Sequence, residues 1–287
     1  MVLMALVSTE ILARHLDDPD WVVFDCRHDL TAPGRGRRDY RASHIPGARF
    51  LDLDKDLSAP KTGANGRHPL PDPSLFMKKL GRAGVNPRKQ VVAYDAQGGM
   101  IAARLWWMLR WLGHLPVAVL DGGWNKWVSE ARPRSTRAPV PRRTQFKGKP
   151  RRHSVDTRFV RSHLGKAGMV LIDARAPDRF RGENETLDPV GGRIPGARNR
   201  YFRDNLETGG RFKAPAVLRS EFGAVLGSSE PEEVVHYCGS GVSAAHNLLA
   251  MEIAGLPSGR LYPGSWSEWC ADPSRPTAAG APRSGEA

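Results

Sequence analysis

Cysteine is scarce in this chain: Cys26, Cys238 and Cys270 are the only three in 287 residues. They form no Cys-x-x-Cys pair, which leaves neither a disulfide framework nor a zinc-ligand spacing. Such usage suits a reducing compartment, so a cytoplasmic protein is expected, with no metal and no cofactor. Long apolar runs are missing too. No stretch reaches the ~20 residues needed to cross a bilayer, and no membrane partner is expected. Met1 to Val7 is apolar but lacks a basic leader and a small-residue cleavage site, so it does not read as a signal peptide. Acidic residues are outnumbered, 30 against 43 basic ones, for a net charge of +13. That balance is compatible with nucleic acid or with a small anionic ligand. Between Arg132 and Arg152, however, Arg and Lys alternate with Pro and Thr, without aromatic interleaving or a recognition-helix pattern. This run reads as a solvated linker, and no nucleic-acid partner is expected.

What the chain does have is a copy of itself. Val22-Val23-Phe24-Asp25-Cys26-Arg27 matches Val170-Leu171-Ile172-Asp173-Ala174-Arg175, and His44-Ile45-Pro46-Gly47-Ala48-Arg49 matches Arg193-Ile194-Pro195-Gly196-Ala197-Arg198. Val91-Val92-Ala93-Tyr94-Asp95 matches Val234-Val235-His236-Tyr237-Cys238. Leu120 to Trp127 matches Leu261 to Trp269 with one insertion. The pairs keep their order at separations of about 140–150 residues, which indicates two copies of one domain. Where the second copy has Cys238, the first has Asp95. One half is the working half.

Within each copy, short apolar strands alternate with helices. The first reads as helix 8–15, strand 21–25, helix 73–80, strand 90–95, helix 101–112 and strand 116–120. The second reads as helix 157–164, strand 169–173, helix 215–226, strand 233–237, helix 244–254 and strand 260–262. Continuous apolar strands of this kind are buried on both faces. The fold class is therefore α/β: tandem duplicated domains, each a parallel sheet flanked by helices. The expected boundaries are 1–137 for the first domain, 138–153 for a basic linker and 154–287 for the second, with a flexible tail from about 273. Trp106, Trp107 and Trp111 read as core and interface packing.

In such sheets, ligands bind beyond the carboxyl ends of the strands, where Cys238 falls. Gly239-Ser240-Gly241-Val242-Ser243 follows it and leads into a helix. Backbone N–H groups of a Gly-rich loop and a first helical turn favour an anion, and such surroundings favour thiolate over thiol. A reactive sulfur nucleophile is one reading. The other is an inert buried cysteine at a strand end, against which the flanking glycines argue, since a structural cysteine needs no cradle.

These motifs together resemble the two-domain rhodanese family over about residues 8 to 270. The shared features are Asp-x-Arg after the first strand, then Ile-Pro-Gly-Ala, with Cys-x-x-Gly-Val-Ser in the second copy only. The family comprises thiosulfate and 3-mercaptopyruvate sulfurtransferases. The resemblance implies an inactive first domain and a catalytic second one, whose cysteine takes sulfur from a small anionic donor as a persulfide. The outer sulfur then passes to cyanide, a small thiol or a protein thiol. Thiosulfate members carry Cys-Arg-Lys-Gly, whereas Cys238-Gly239-Ser240-Gly241 has the mercaptopyruvate form. Cys238 and Ser240 are thus the expected catalytic pair, Ser240 orienting or protonating the enolate or carbonyl left after C–S cleavage. Gly239, Gly241, Val242 and Ser243 shape the donor cradle.

Arg179, in Asp178-Arg179-Phe180-Arg181-Gly182, matches the family's substrate arginine, and a planar guanidinium suits bidentate carboxylate capture. The Glu-Pro-Arg that usually follows, with its second carboxylate-binding arginine, is absent: the chain reads Glu185-Thr186-Leu187-Asp188-Pro189. Arg193, where the family has histidine, is the candidate replacement. His44 matches a histidine held to face the cleft. His236 and His246 read as core histidines, and Cys270 is not expected to act as a resolving thiol. A cysteine phosphatase would need an arginine to close its loop, and none follows Cys238 until Arg260. The alternatives left open are a thiosulfate donor and a non-enzymatic persulfide carrier. A monomer is expected.

Overall fold

The computed structural model describes residues 2–257 and 259–281. It divides into two compact units. Unit 1 comprises 1–59, 70–151 and 207–212; unit 2 comprises 60–69, 152–206 and 213–287.

In unit 1, five parallel strands, β1 (Leu6–Val7), β2 (Trp21–Asp25), β3 (Arg49–Phe50), β4 (Gln90–Tyr94) and β5 (Val117–Leu120), lie in the order β1-β5-β4-β2-β3. Its helices are α1 (Thr9–Arg14), α2 (Arg35–Ala42), α3 (Pro73–Arg82), α4 (Met100–Trp111) and α5 (Gly123–Ser129). Ser8 caps α1 through Ile11 N, and Asp72 caps α3 ahead of Pro73, so side-chain oxygens satisfy otherwise orphaned helical donors. Every residue of β4 is buried, as a central strand with helices on both faces requires. Trp106, Trp107 and Trp111 are buried on α4.

Unit 2 repeats the plan with β6 (Val170–Asp173), β7 (Arg198–Asn199), β8 (Val234–Tyr237) and β9 (Arg260–Leu261), all parallel, in the order β7-β6-β8-β9. The counterpart of β1 is a single parallel bridge, Ser154 to Leu261. Its helices are α6 (Thr157–His163), α7 (Pro177–Arg181), α8 (Pro215–Leu226), α9 (Ser243–Ile253) and α10 (Ser265–Trp269). Phe180, Tyr237, Tyr262, Trp266 and Trp269 are the buried aromatic side chains of one core cluster in this unit.

The duplicated motifs have duplicated roles. Arg27 forks onto Asp25, and Arg175 onto Asp173, with all four side chains buried. Tyr94 Oη accepts from Ile45 N, and Tyr237 Oη from Ile194 N, at 3.2 Å in both copies. Trp127 and Trp269 each donate an indole N–H to a proline carbonyl, Pro133 and Pro276.

Sequence patterning locates every long element and misses α2, α5, α7 and α10. The reasons are local. Helix α2 contains Gly36, whose added Cβ would meet Arg27 O at 1.9 Å, and α5 follows Gly122 at φ 80°. Both stretches read as turns on propensity alone. Helices α7 and α10 have five residues each, too few for a 3.6-residue period to show.

Two expectations need correction. The basic stretch 138–153 is not a free solvated linker. Its backbone is fixed on unit 1 by Thr144 N to Gly81 O, Lys149 N to Leu112 O and Arg151 N to Trp111 O, and Phe146 is buried. Nor is the tail loose from 273. Pro276 O takes the Trp269 indole, Ala278 exchanges backbone hydrogen bonds with Arg193, and Gly280 N donates to Arg181 O. Composition suggested disorder there, but backbone pairing and an indole anchor hold residues 273–281. The rest of the expected flexible tail, 282–287, lies outside the described residues.

Candidate active site

Cys238 follows β8 directly, at the carboxyl end of a strand flanked by β6 and β9. Its N–H donates to Ser265 Oγ (3.1 Å), its carbonyl accepts from Trp266 N (2.9 Å), and Gly239 O accepts from Ser267 N (3.0 Å). The start of α10 thus holds the Cys238 loop. Gly241 has φ 74°, and an added Cβ there would lie 2.4 Å from Pro263 O. Only glycine fits both constraints. The resulting turn aims two backbone donors at the sulfur: Gly241 N at 3.1 Å and Ser240 N at 3.5 Å from Cys238 Sγ. Val242 is buried, and Ser243 opens the eleven-residue helix α9, whose N-terminal end adds to the positive field. Cys238 is 2% exposed. The two N–H groups form a nest around the sulfur.

The corresponding loop in unit 1 shows what replaces the sulfur. Asp95 accepts from Gln97, Gly99, Ile101 and Ala102 N at 2.7–2.8 Å. Burial raises its carboxyl above the ordinary aspartate value, against the pull of those N–H groups. A built-in carboxylate fills that cradle.

Two residues that sequence reasoning missed complete the site. The segment 60–69 belongs to unit 2, and it brings Arg67 and His68 to the Cys238 loop. His68 Nδ1 lies 2.7 Å from Ser240 Oγ, and both side chains are buried. Arg67 N donates to Ser267 Oγ (3.0 Å), and Gly66, at φ 79°, approaches Gly264 so closely that a Cβ would meet its carbonyl at 2.7 Å. The available signal was a glycine ahead of Arg-His in a proline-flanked stretch; its weakness is that nothing local links it to residues far down the chain.

Arg179, on α7, is held by Glu185 through Nε (3.1 Å) and Nη2 (2.7 and 2.8 Å). Burial pushes Glu185 up, but the Leu187 N–H and the Arg179 guanidinium outweigh it, and its carboxyl stays below the ordinary glutamate value. Asp188 joins the two arginines: Arg67 Nη1 donates to its Oδ1, and Arg179 Nη2 lies 3.6 Å from its Oδ2. Burial raises Asp188 despite Arg67. An ideal Cβ on Gly239 would lie 2.6 Å from Arg67 Nη2 and 3.6–3.7 Å from the Arg179 terminal nitrogens. Both guanidinium groups therefore border the residue next to Cys238.

The remaining candidates are placed elsewhere. Arg193 is buried, with Nη1 on Gly280 O (2.7 Å) and its guanidinium over the Phe180 ring at 4.7 Å. It anchors the tail. His44 is fully buried in unit 1, its Nδ1 2.6 Å from Tyr40 O and its Nε2 3.2 Å from Arg137 O, and its backbone pairs with Ser135 just as Arg193 pairs with Ala278. His236 and His246 are core residues. Burial, helped by the charge of Asp188, pushes the Cys270 thiol up to about 11, a poor setting for a reactive sulfur. Among the described residues, one group suits a cation by proximity, His28, Asp52 and Asp54. There Asp52 Oδ1 already accepts from Asp54 N and Lys55 N, as in an ordinary turn.

Comparison with known proteins agrees with this geometry. The rhodanese-like domain family matches residues 8–130 and 157–272. A Pseudomonas aeruginosa protein named "probable 3-mercaptopyruvate sulfurtransferase" is 47% identical, covering 96% of this chain and 98% of that one. The thiosulfate sulfurtransferase of Rattus norvegicus is 33% identical over 92% of this chain and 91% of its own. The crystal structure of the 3-mercaptopyruvate sulfotransferase SseA from Escherichia coli superposes with a TM-score of 0.80 at 30% identity, covering 92% of this chain and 99% of that one. The duplicated parallel sheets, a cradled cysteine in the second copy and these matches lead to one statement: the chain belongs to the rhodanese family, with two rhodanese-like domains in tandem.

Proposed function

We propose that the protein is a sulfurtransferase that takes sulfur from 3-mercaptopyruvate onto Cys238 and delivers it to a thiol or cyanide. The observation that carries this reading is the Ser240–His68 pair beside the cradled sulfur. The Cys238 thiolate attacks the donor's sulfur, the C–S bond breaks, and its electron pair leaves as the enolate of pyruvate. The proton on the transferred sulfur then has to reach carbon. Ser240, hydrogen-bonded to His68, is placed to relay it, which leaves pyruvate and a persulfide anion. The N–H groups of Ser240 and Gly241 stabilise that anion. An acceptor thiolate or cyanide attacks the outer sulfur and returns the Cys238 thiolate.

The first domain is non-catalytic on this reading, because Asp95 occupies its cradle. A monomer is part of this proposal. Three unbridged cysteines support a cytoplasmic setting.

Side-by-side steady-state kinetics with the two donors, cyanide as acceptor, tests the assignment: kcat/KM should favour mercaptopyruvate over thiosulfate. The reverse preference would overturn the donor and leave the persulfide standing. Intact mass after donor treatment without acceptor should show one added sulfur on the wild type and none on Cys238→Ser. Loading without turnover of either donor would favour a carrier.

A further inference from the structure

The sequence lacks the second carboxylate-binding arginine expected after Glu185, and the nominated substitute, Arg193, is committed to Gly280 and Phe180. A different arginine stands beside the nucleophile. Resting on the carboxylate-donor reading above, we propose that Arg67 is the second guanidinium of the donor site and clamps the donor's carboxylate together with Arg179.

Three observations carry this. The first is position: Arg67 Nη2 lies 2.6 Å from where a Gly239 side chain would begin, and Arg179 borders the same point at 3.6–3.7 Å. The two cations flank one small volume next to Cys238. The second is the direction of their hydrogen bonds. Arg67 uses Nη1 on Asp188, and Arg179 uses Nε and Nη2 on Glu185. That leaves Arg67 Nη2 and Arg179 Nη1 with no protein acceptor among the described residues. The two carboxylates fix the guanidinium planes and leave one donor edge of each open, as bidentate anion capture needs. The third is access: the Arg67 and Arg179 side chains are 24% and 21% exposed, so a solute can reach them, whereas Cys238 itself is nearly closed off.

The same geometry gives Gly239 a reason. A side chain there would strike Arg67, so a loop with arginine at this position and Arg67 in its present place exclude each other.

Alkylation of Cys238 tests the clamp without depending on the donor's identity. Iodoacetate carries a carboxylate and iodoacetamide does not; peptide mapping reports both at Cys238. In Arg67→Gln the iodoacetate-to-iodoacetamide rate ratio should fall at least ~10-fold, with iodoacetamide alone changed less than ~2-fold, and Arg67→Lys should fall between. With mercaptopyruvate, KM should rise ~10-fold or more while kcat moves less than ~3-fold, the pattern of lost ground-state binding. Gly239→Ala, which pushes Arg67 aside without removing it, should lower the ratio as well. An unchanged ratio in Arg67→Gln, or equal slowing of both reagents, would overturn the clamp and leave Arg67 as a tether to Asp188. Absence of mercaptopyruvate turnover in the wild type would overturn the donor assignment alone, and the alkylation ratio would still decide Arg67.

Discussion

His68 Nδ1 and Ser240 Oγ lie 2.7 Å apart although 172 residues separate them in the chain. On the proposed mechanism this buried imidazole and buried hydroxyl, two residues from Cys238, form the proton path to carbon. Ser240→Ala and His68→Gln should each lower kcat with mercaptopyruvate by about 10²-fold, the usual size of a lost general acid–base group. Thiosulfate needs no proton delivered to carbon, so its rate should fall less. Equal losses with both donors would remove the pair from the proton step.

Arg179 is held in a fork by Glu185. Arg179→Lys keeps the charge but loses the planar pair of donors, and kcat/KM for mercaptopyruvate should drop at least ~10-fold, about 1.4 kcal/mol. Glu185→Gln should act in the same direction by freeing the guanidinium. Wild-type kinetics in both variants would place the carboxylate elsewhere.

Asp95 satisfies four backbone donors in unit 1. Asp95→Ala strands them, and at about 1–3 kcal/mol for an unsatisfied buried group the variant should lose at least ~3 kcal/mol of stability in urea melts. Sulfur loading of Cys238 in the still-folded protein should persist. Loss of loading at temperatures where the fold is intact would give unit 1 a part in the chemistry.

Burial pushes the His236 imidazole down to about 3 and that of His114 to about 4. Both are neutral in the folded protein, whereas the unfolded chain takes up their protons below about 6.5. The unfolded state therefore binds more protons in that window, and stability is full above about pH 6.5 and falls as pH drops towards 4 and 3. Each should contribute a loss of about 2 kcal/mol between pH 7 and pH 5. Denaturant melts at the two pH values check this, and His236→Leu should remove about half of the drop. An identical drop in His236→Leu would show that the carboxylates, not this histidine, set the acid limb.

The duplication, the α/β class, the long strands and helices and the cradled position of Cys238 were legible from sequence, because each rests on local signals. Apolar runs bury as central strands, glycines at Gly239 and Gly241 permit one loop shape, and the Asp95–Cys238 contrast sits inside a repeated motif. Arg179 was legible by the same route. Arg67, His68, Glu185 and Asp188 were not, and Arg193 was nominated in Arg67's place. Whether an arginine faces a nucleophile or a tail carbonyl depends on contacts between segments far apart in sequence, here 60–69 against the Cys238 loop and 276–280 against Arg193. Local propensity carries no information about such pairings. They are decided only when the backbone closes, when Gly66 can approach Gly264, Asp188 can draw Arg67 in, and the Trp269 indole can fasten Pro276.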